Sequence, residues 1–239
     1  LSLDTPSLAE LEPLAAGLPA LAPWLPLRGA LRARIQADGR WPELALQTDL
    51  AATDLRLGPF SAARVAASAQ LGVASDSPMS LELDTDQPGW QAQRFAQVLV
   101  RVQGSKSEHR LEAMLRGAVQ PPPVLARALG WRVTDQAQAH LMGAGSWSGQ
   151  AEGGGQWKGR ITQLRAGPAE SPGAAAAPAW IELDPVSGEL AIDRTATLQR
   201  IQLQDGAARL GDARLRWTEL QWNATVARPD TALDIRLEP

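Results

Sequence analysis

From Leu27 onward, apolar and polar residues change places at nearly every step. That period of two marks strands with one dry face and one wet face. ALRARIQADG puts Leu31, Ala33 and Ile35 on one side and Arg32, Arg34 and Gln36 on the other, then stops at an Asp-Gly turn. PELALQTDLAATDLRLG repeats the layout with Leu44, Leu46 and Thr48, then Leu55 and Leu57. Next come ARVAASAQLG with Val65, Ala67, Ala69 and Leu71, MSLELDT with Met79, Leu81 and Leu83, and QVLVRVQG with Val98, Val100 and Val102. In GSKSEHRLEAMLRG (Gly104 to Gly117), His109, Leu111, Ala113 and Leu115 share a side opposite Arg110, Glu112, Met114 and Arg116, and a hairpin with the preceding strand is expected through residues 104–108.

The prolines of QPPPVLARALGW end that run and leave room for a short helix over 121–130. Alternation resumes in AQAHLMGAGSW (with Leu141), GQWKGRITQLRAG (with Ile161), WIELDP, GELAIDR, LQRIQLQDG (with Leu203), ARLRWTELQWNATV (with Leu215) and ALDIRLEP. The opening segment has another texture. PSLAELEPLAAGLPALAPWLP is rich in Leu and Ala but broken by Pro13, Pro19, Pro23 and Pro26, so a helix is expected only from Pro6–Ser7 to Leu14. GPAESPGAAAAPA at 167–179 reads as an exposed loop of low complexity. The chain thus divides into a Pro-interrupted segment (1–26), a first β section (27–120), a break with a short helix (121–130) and a second β section (131–239). About a dozen strands, joined by links too short for crossover helices, give an all-β, mostly antiparallel, sequential sheet with one or two short helices.

Composition narrows the function more than the fold. The 239 residues are 44% hydrophobic and 21% charged, enough for a folded core, and a net charge of −3 without a basic run gives no footing for nucleic acid. The lack of cysteine removes disulfides, thiolate nucleophiles and Cys-based zinc sites. No stretch is long and apolar enough to span a bilayer. The chain opens on LSLDTPSL, without Met or a basic leader, and reads as a piece of a longer protein. Aromatic usage is lopsided: no Tyr, two Phe and nine Trp, while Lys106 and Lys158 are the only lysines.

Candidate chemistry is sparse. His109 and His140 stand alone in strands, and His109, on an apolar face, is expected to be a satisfied structural histidine. Asp84 to Asp86 is expected at a turn, where Asp belongs for its hydrogen bonding. GGG (Gly153 to Gly155) lacks the Lys-Ser/Thr of a phosphate loop and reads as a turn before a strand. GSWSG has the spacing of a nucleophile elbow, but Trp147 stands where a serine is needed. No catalytic constellation, metal site or cofactor is expected. Trp131, Trp147 and Trp157 gather around the second break, and Trp217 and Trp222 flank a late strand. They are expected to close the ends of an apolar interior with their N–H groups at its polar rim; sugar stacking on a carbohydrate-binding β-sandwich is the alternative.

Two segments carry a family likeness. GSKSEHRLEAMLRG followed by GGGQWKGRITQLRAG resembles the TamB family of Gram-negative envelope proteins, with Gly104, His109 and Leu111 matching its first pattern and Gly154, Gly155, Trp157, Gly159 and Ile161 its second. LPLRGALRARIQADGRWPELALQTDLAATDLRLG is similar to the family's unit of Gly, alternating strand, Gly-x-x-Pro and two further alternating strands. The Ala-rich loop at Gly167 is an insertion-like departure. The resemblance implies an internal portion of such a protein, in the periplasm, with the parent anchored in the inner membrane. It also implies kinship with AsmA-like bridge proteins, whose elongated, curved sheets form open, taco-like apolar grooves for phospholipid passage between membranes.

Under that implication the dry face covers acyl chains instead of a second sheet. Leu31, Ile35, Leu44, Leu46, Val65, Leu81, Leu83, Val98, Val100, Val102, Leu111, Ala113, Leu115, Leu141, Ile161, Leu203 and Leu215 are its expected lining. The Arg- and Glu-bearing side would form a convex, solvated back. Expected partners are phospholipid acyl chains and, through the parent chain, a TamA-like outer-membrane protein. A scaffold that offers strand edges to unfolded β-barrel clients is the other functional alternative.

Overall fold

The computed structural model describes residues 1–13, 24–40, 44–90, 93–118, 136–149, 154–169, 179–192, 198–223 and 230–235. The helix expected over 121–130 and most of the 167–179 loop lie outside them, as do residues 14–23.

The described strands are β1 (Ser2–Thr5), β2 (Leu27–Asp38), β3 (Ala45–Leu57), β4 (Phe60–Gly72), β5 (Met79–Asp86), β6 (Gly89–Trp90), β7 (Gln93–Arg94), β8 (Gln97–Gly104) and β9 (His109–Gly117). They continue with β10 (Ala137–Gly149), β11 (Gly155–Pro168), β12 (Ile181–Leu183), β13 (Val186–Ile192), β14 (Leu198–Leu203), β15 (Gly206–Leu210), β16 (Ala213–Asn223) and β17 (Asp230–Ile235). All belong to one 17-stranded sheet whose pairings are antiparallel. The short segments are pieces of interrupted strands. β5 and β6 both run along β4, β12 and β13 both run along β11, and β14 and β15 both return along β16. The result is a meander in chain order, the all-β antiparallel sheet that the alternation predicts. A sandwich would need a second, facing sheet; the described strands supply one sheet only.

Irregularities in the alternation have structural causes. In β3 the apolar positions run Leu46, Leu50, Ala52 and then jump phase to Leu55 and Leu57. At the jump Asp54 takes φ 50°, and opposite it the β2 register slips at Gly29, whose φ is 106°. A Cβ at Gly29 would lie 2.6 Å from the Thr53 carbonyl oxygen, so only glycine fits this bulge. PELALQTDLAATDLRLG is therefore one bulged strand, where two were expected. A second slip, at Gly143 of β10, lets Ile161 and Leu164 of β11 face the same side although two residues separate them.

The first segment differs from expectation. Ser2–Thr5 joins the sheet as β1, pairing with β2 from Ser2↔Arg34 to Thr5↔Leu31. Where a helix was expected the structure has a 3-10 turn, Leu8–Leu11, with no side-chain cap at Ser7, followed by helical residues at 12 and 13; the expected end at Leu14 lies outside the described residues. Thr5 shapes the entry: its hydroxyl donates to the Ser7 carbonyl oxygen at 3.0 Å and accepts from the Ser7 amide at 3.3 Å, a local turn ahead of the helical residues. Leu8 drops onto the sheet and seals the main apolar cluster with Ala52, Leu55, Ala62 and Val65, while Leu11, Leu27, Leu31, Leu50 and Phe60 pack around it. A second cluster joins Ala137 and Trp180 to Ile181 and Leu210.

Candidate functional site

Directly opposed residues of antiparallel strands point to the same side, so the registers trace rows across the sheet. One row reads Leu31, Ala52, Val65, Thr85, Val98, Leu115, Ala139, Ala166, Ile181. The next reads Ala33, Leu50, Ala67, Leu83, Val100, Ala113, Leu141, Leu164, Leu183, and passes through Ala208 to Leu215. A third reads Ile35, Thr48, Ala69, Leu81, Val102, Leu111, Gly143, Ile161, Val186. Leu46 stands beside Leu71 in a fourth row, which reaches Leu203 through Gly188. Sixteen of the seventeen expected lining residues thus share one face. Leu44 is the exception: it precedes β3, and its carbonyl accepts from the Val73 amide at 3.0 Å.

Most of these side chains are not sealed. Val65 is only 6% exposed, beneath Leu8, whereas Ile35, Leu46, Leu71 and Leu81 are 37–41% exposed and form a neighbouring group on β2 to β5. Next to them lies a hollow of about 490 Å³ touched by seven consecutive strand positions, from Ala69 on β4 to Leu190 on β13. Leu81, Val102, Leu111, Leu141 and Ile161 line it, all five of them expected from the alternation. Leu71, Met79, Trp147, Trp157 and Leu190 line the hollow as well and were not among the expected lining. Alternation within β4 places Leu71 on the Val65 side; the role of the two tryptophans depends on cross-strand packing that no local pattern encodes.

At one end of the hollow β9, β10 and β11 are strapped together by side chains. Trp157 Nε1 donates to His109 Nε2 at 3.0 Å, and His109 Nδ1 lies 3.0 Å from the Ser105 carbonyl oxygen. With Nε2 accepting, Nδ1 carries the hydrogen and donates to Ser105. The bond spans β10 because Gly145 stands between the partners: a Cβ there would lie 2.7 Å from the Trp157 ring. His109 is 6% exposed and satisfied at both nitrogens, the structural role expected of it. The Trp157 N–H, however, points to a buried imidazole and not to a polar rim. Trp217 is also buried, its Nε1 donating to the Gln204 carbonyl oxygen at 2.8 Å. Neither ring is free to stack on a sugar.

The other face is ionic. Arg64 meets Asp86 at 2.7 Å and Asp84 at 3.5 Å, Arg101 meets Glu82 at 3.0 Å, His140 meets Glu112 at 3.0 Å, and Lys158 meets Glu189 at 2.9 Å. Asp84 to Asp86 is therefore the end of β5, and not a turn: its two carboxylates alternate onto the wet face and hold Arg64. The hydrogen bond to Asp86 raises the Arg64 pKa, and the bond from Lys158 lowers that of Glu189. This face carries a hollow of its own. A hollow of about 830 Å³ opens on β1 to β5 and β8, floored by Ala51, Ala66 and Leu99 and rimmed by Arg32, Arg34 and Arg101. A twisted sheet is saddle-shaped and can be concave on both faces along different diagonals. Among the described residues no group of His, Asp and Glu is arranged to hold a metal ion.

Residues 14–123 match the family model described as TamB, N-terminal domain. The chain carries a TamB-family domain. The TamB match spans β2 to β9, taking in most of the sealed cluster, one wall of the hollow and His109, while Trp157 lies beyond it. TamB-like proteins belong to the biogenesis machinery of the Gram-negative envelope, and the family works with TamA in an assembly module. No curated protein and no solved structure gave a match.

Proposed function

We propose that the apolar face of this TamB-like chain is a periplasmic groove for phospholipid acyl chains, a section of a longer path between the inner and outer membranes. One observation carries the reading: several large aliphatic side chains on a single face stay more than a third exposed beside an apolar hollow of about 490 Å³. A contiguous apolar surface left open has a use, because water makes it costly. Leu, Val and Ala offer attraction without direction. Each methylene that leaves water gains about 0.8 kcal/mol, so an acyl chain is held firmly in sum. Along rows of like residues, the packing an acyl chain leaves behind it is matched by the packing it meets ahead, and it slides with little net change.

The experiment is photo-crosslinking with a phospholipid bearing a photoreactive acyl chain, on wild type and on Leu111→Glu and Val102→Glu. The reading expects a crosslinked wild type and loss of the adduct in both variants, with far-UV circular dichroism unchanged. Normal crosslinking in folded variants would overturn it. The scaffold alternative, in which an edge such as β1 or β17 pairs with a client strand, predicts that proline placed in that edge, and not charge in the hollow, abolishes binding.

A further inference from the structure

Lys106 is out of place. Among the described residues the other lysine, Lys158, sits on the wet face and pairs with Glu189 at 2.9 Å. Lys106 instead lies in the β8–β9 turn, half-buried, and lines the apolar hollow alongside Leu81, Leu111 and Trp147. Its Nζ donates to the Val73 carbonyl oxygen at 3.0 Å, and its own carbonyl accepts from the Trp147 amide at 2.7 Å. Ser107 ties the same turn to the β4–β5 loop through Asp76 at 2.5 Å, so the turn is held from both sides. Among the described residues no carboxylate pairs with Lys106. An ammonium has three donors, and here only one is engaged by a described group. An aliphatic stem along an apolar wall with its charge at the margin is the snorkelling arrangement.

Resting on the groove reading, we infer that the hollow is a seat for one acyl chain of an anionic lipid, and that Lys106 holds the lipid's phosphate at its mouth. Size admits a chain. The hollow measures about 490 Å³ and crosses seven strands, room for an acyl chain laid along the apolar wall. Charge fits the head. The aliphatic walls make no directional contact, so the ammonium, which no described carboxylate pairs, supplies the polar bond that fixes where along the rows a chain rests. A phosphate oxygen gives a charge-assisted bond in place of the water at the free donors. Lys106 is a positioning group in this sense: it sets a resting point on a surface that is otherwise uniform.

The test uses the whole chain with three probes: phosphatidylglycerol, diacylglycerol of the same acyl composition, and inorganic phosphate. Binding is read by native mass spectrometry and by competition with a photoreactive acyl probe. Wild type is expected to hold phosphatidylglycerol about ten-fold better than diacylglycerol, with the difference lost in Lys106→Met and largely kept in Lys106→Arg. Inorganic phosphate alone is expected to leave the acyl probe in place. Should diacylglycerol and phosphatidylglycerol bind alike, with Lys106→Met unchanged, the groove survives and the Lys106 seat is wrong. If none of the lipids binds wild type, the groove reading itself has failed. Displacement of the acyl probe by inorganic phosphate through Lys106 would also overturn the seat, since it would mark a phosphate site independent of the chain. Lys106→Met keeps the stem against the wall, and Lys106→Arg guards against a loss caused by the Val73 bond alone.

Discussion

Two adjoining regions of the same face are made of the same kinds of residue and have opposite fates. Around Leu8 the aliphatic side chains of β2, β3 and β4 are closed over: Ala52 is 2% exposed, Leu55 7% and Val65 6%. Around Leu111 the corresponding residues of β4, β5, β8 and β9 stand open to a hollow. Neither strand chemistry nor register separates them, since Val65 and Leu81 lie on one face of adjoining strands. The difference is the lid. Residues Leu8–Leu11 cover the first region, and no described segment covers the second. Where a described segment supplies the cover the apolar face is sealed, and where none does it stands open.

The sharpest way to break that comparison is to remove the lid. Leu8→Ala is expected to cost about 2–5 kcal/mol, because it empties a sealed site. Urea denaturation measures it; a loss below about 1 kcal/mol would mean that Leu8 is not the seal. The same variant should bind an environment-sensitive apolar dye more strongly, as the sealed half comes to resemble the open one.

The strap comes second. Trp157→Phe keeps an aromatic ring but removes the indole N–H and strands His109 Nε2 in a buried setting, at an expected cost of about 1–3 kcal/mol. A double-mutant cycle with His109→Ala should show strong coupling; additive losses would deny the bond any role. Gly145→Ala should act in the same direction, since its new methyl meets the Trp157 ring.

In the open region the balance reverses. Leu111→Glu is expected to change stability by less than about 1 kcal/mol, since its side chain faces the hollow and can keep its charge hydrated, while abolishing acyl crosslinking. A large loss of stability would show that the hollow is closed in solution and that the two regions do not differ.

The smallest effect lies on the wet face. Lys158 holds the Glu189 pKa below the ordinary glutamate value. A carboxyl whose folded pKa is depressed stabilises the fold above its unfolded pKa, and that contribution is lost as the pH falls through the folded value. Lys158→Met should therefore flatten the acid limb of the stability–pH curve by a few tenths of a kcal/mol, as expected for an exposed pair. Neutral-pH stability should drop by the same small amount.

How much of this was legible beforehand follows from which interactions are local. Alternation located the long strands because a half-buried strand writes its burial into every second residue, as in Val98, Val100 and Val102. It missed β1, β6, β7 and β15, which are too short to show a period and exist only because a neighbour offers an edge. Asp84 and Asp86 looked like turn residues because their partner, Arg64, is remote in sequence and adjacent only across the sheet. His109 and Trp157 stood out as parts of a family pattern, but the bond between them did not, because its geometry depends on Gly145, in the strand between.

By itself, then, the sequence determined that the chain builds a meandering antiparallel sheet with one aliphatic face and one ionic face, because both properties are set by residue type at a period of two. Which part of the aliphatic face is filled and which stays open was decided by the tertiary structure alone. That outcome turns on where Leu8–Leu11 lands and on which strands pair beside the hollow, and both are sums over interactions between residues far apart in the chain.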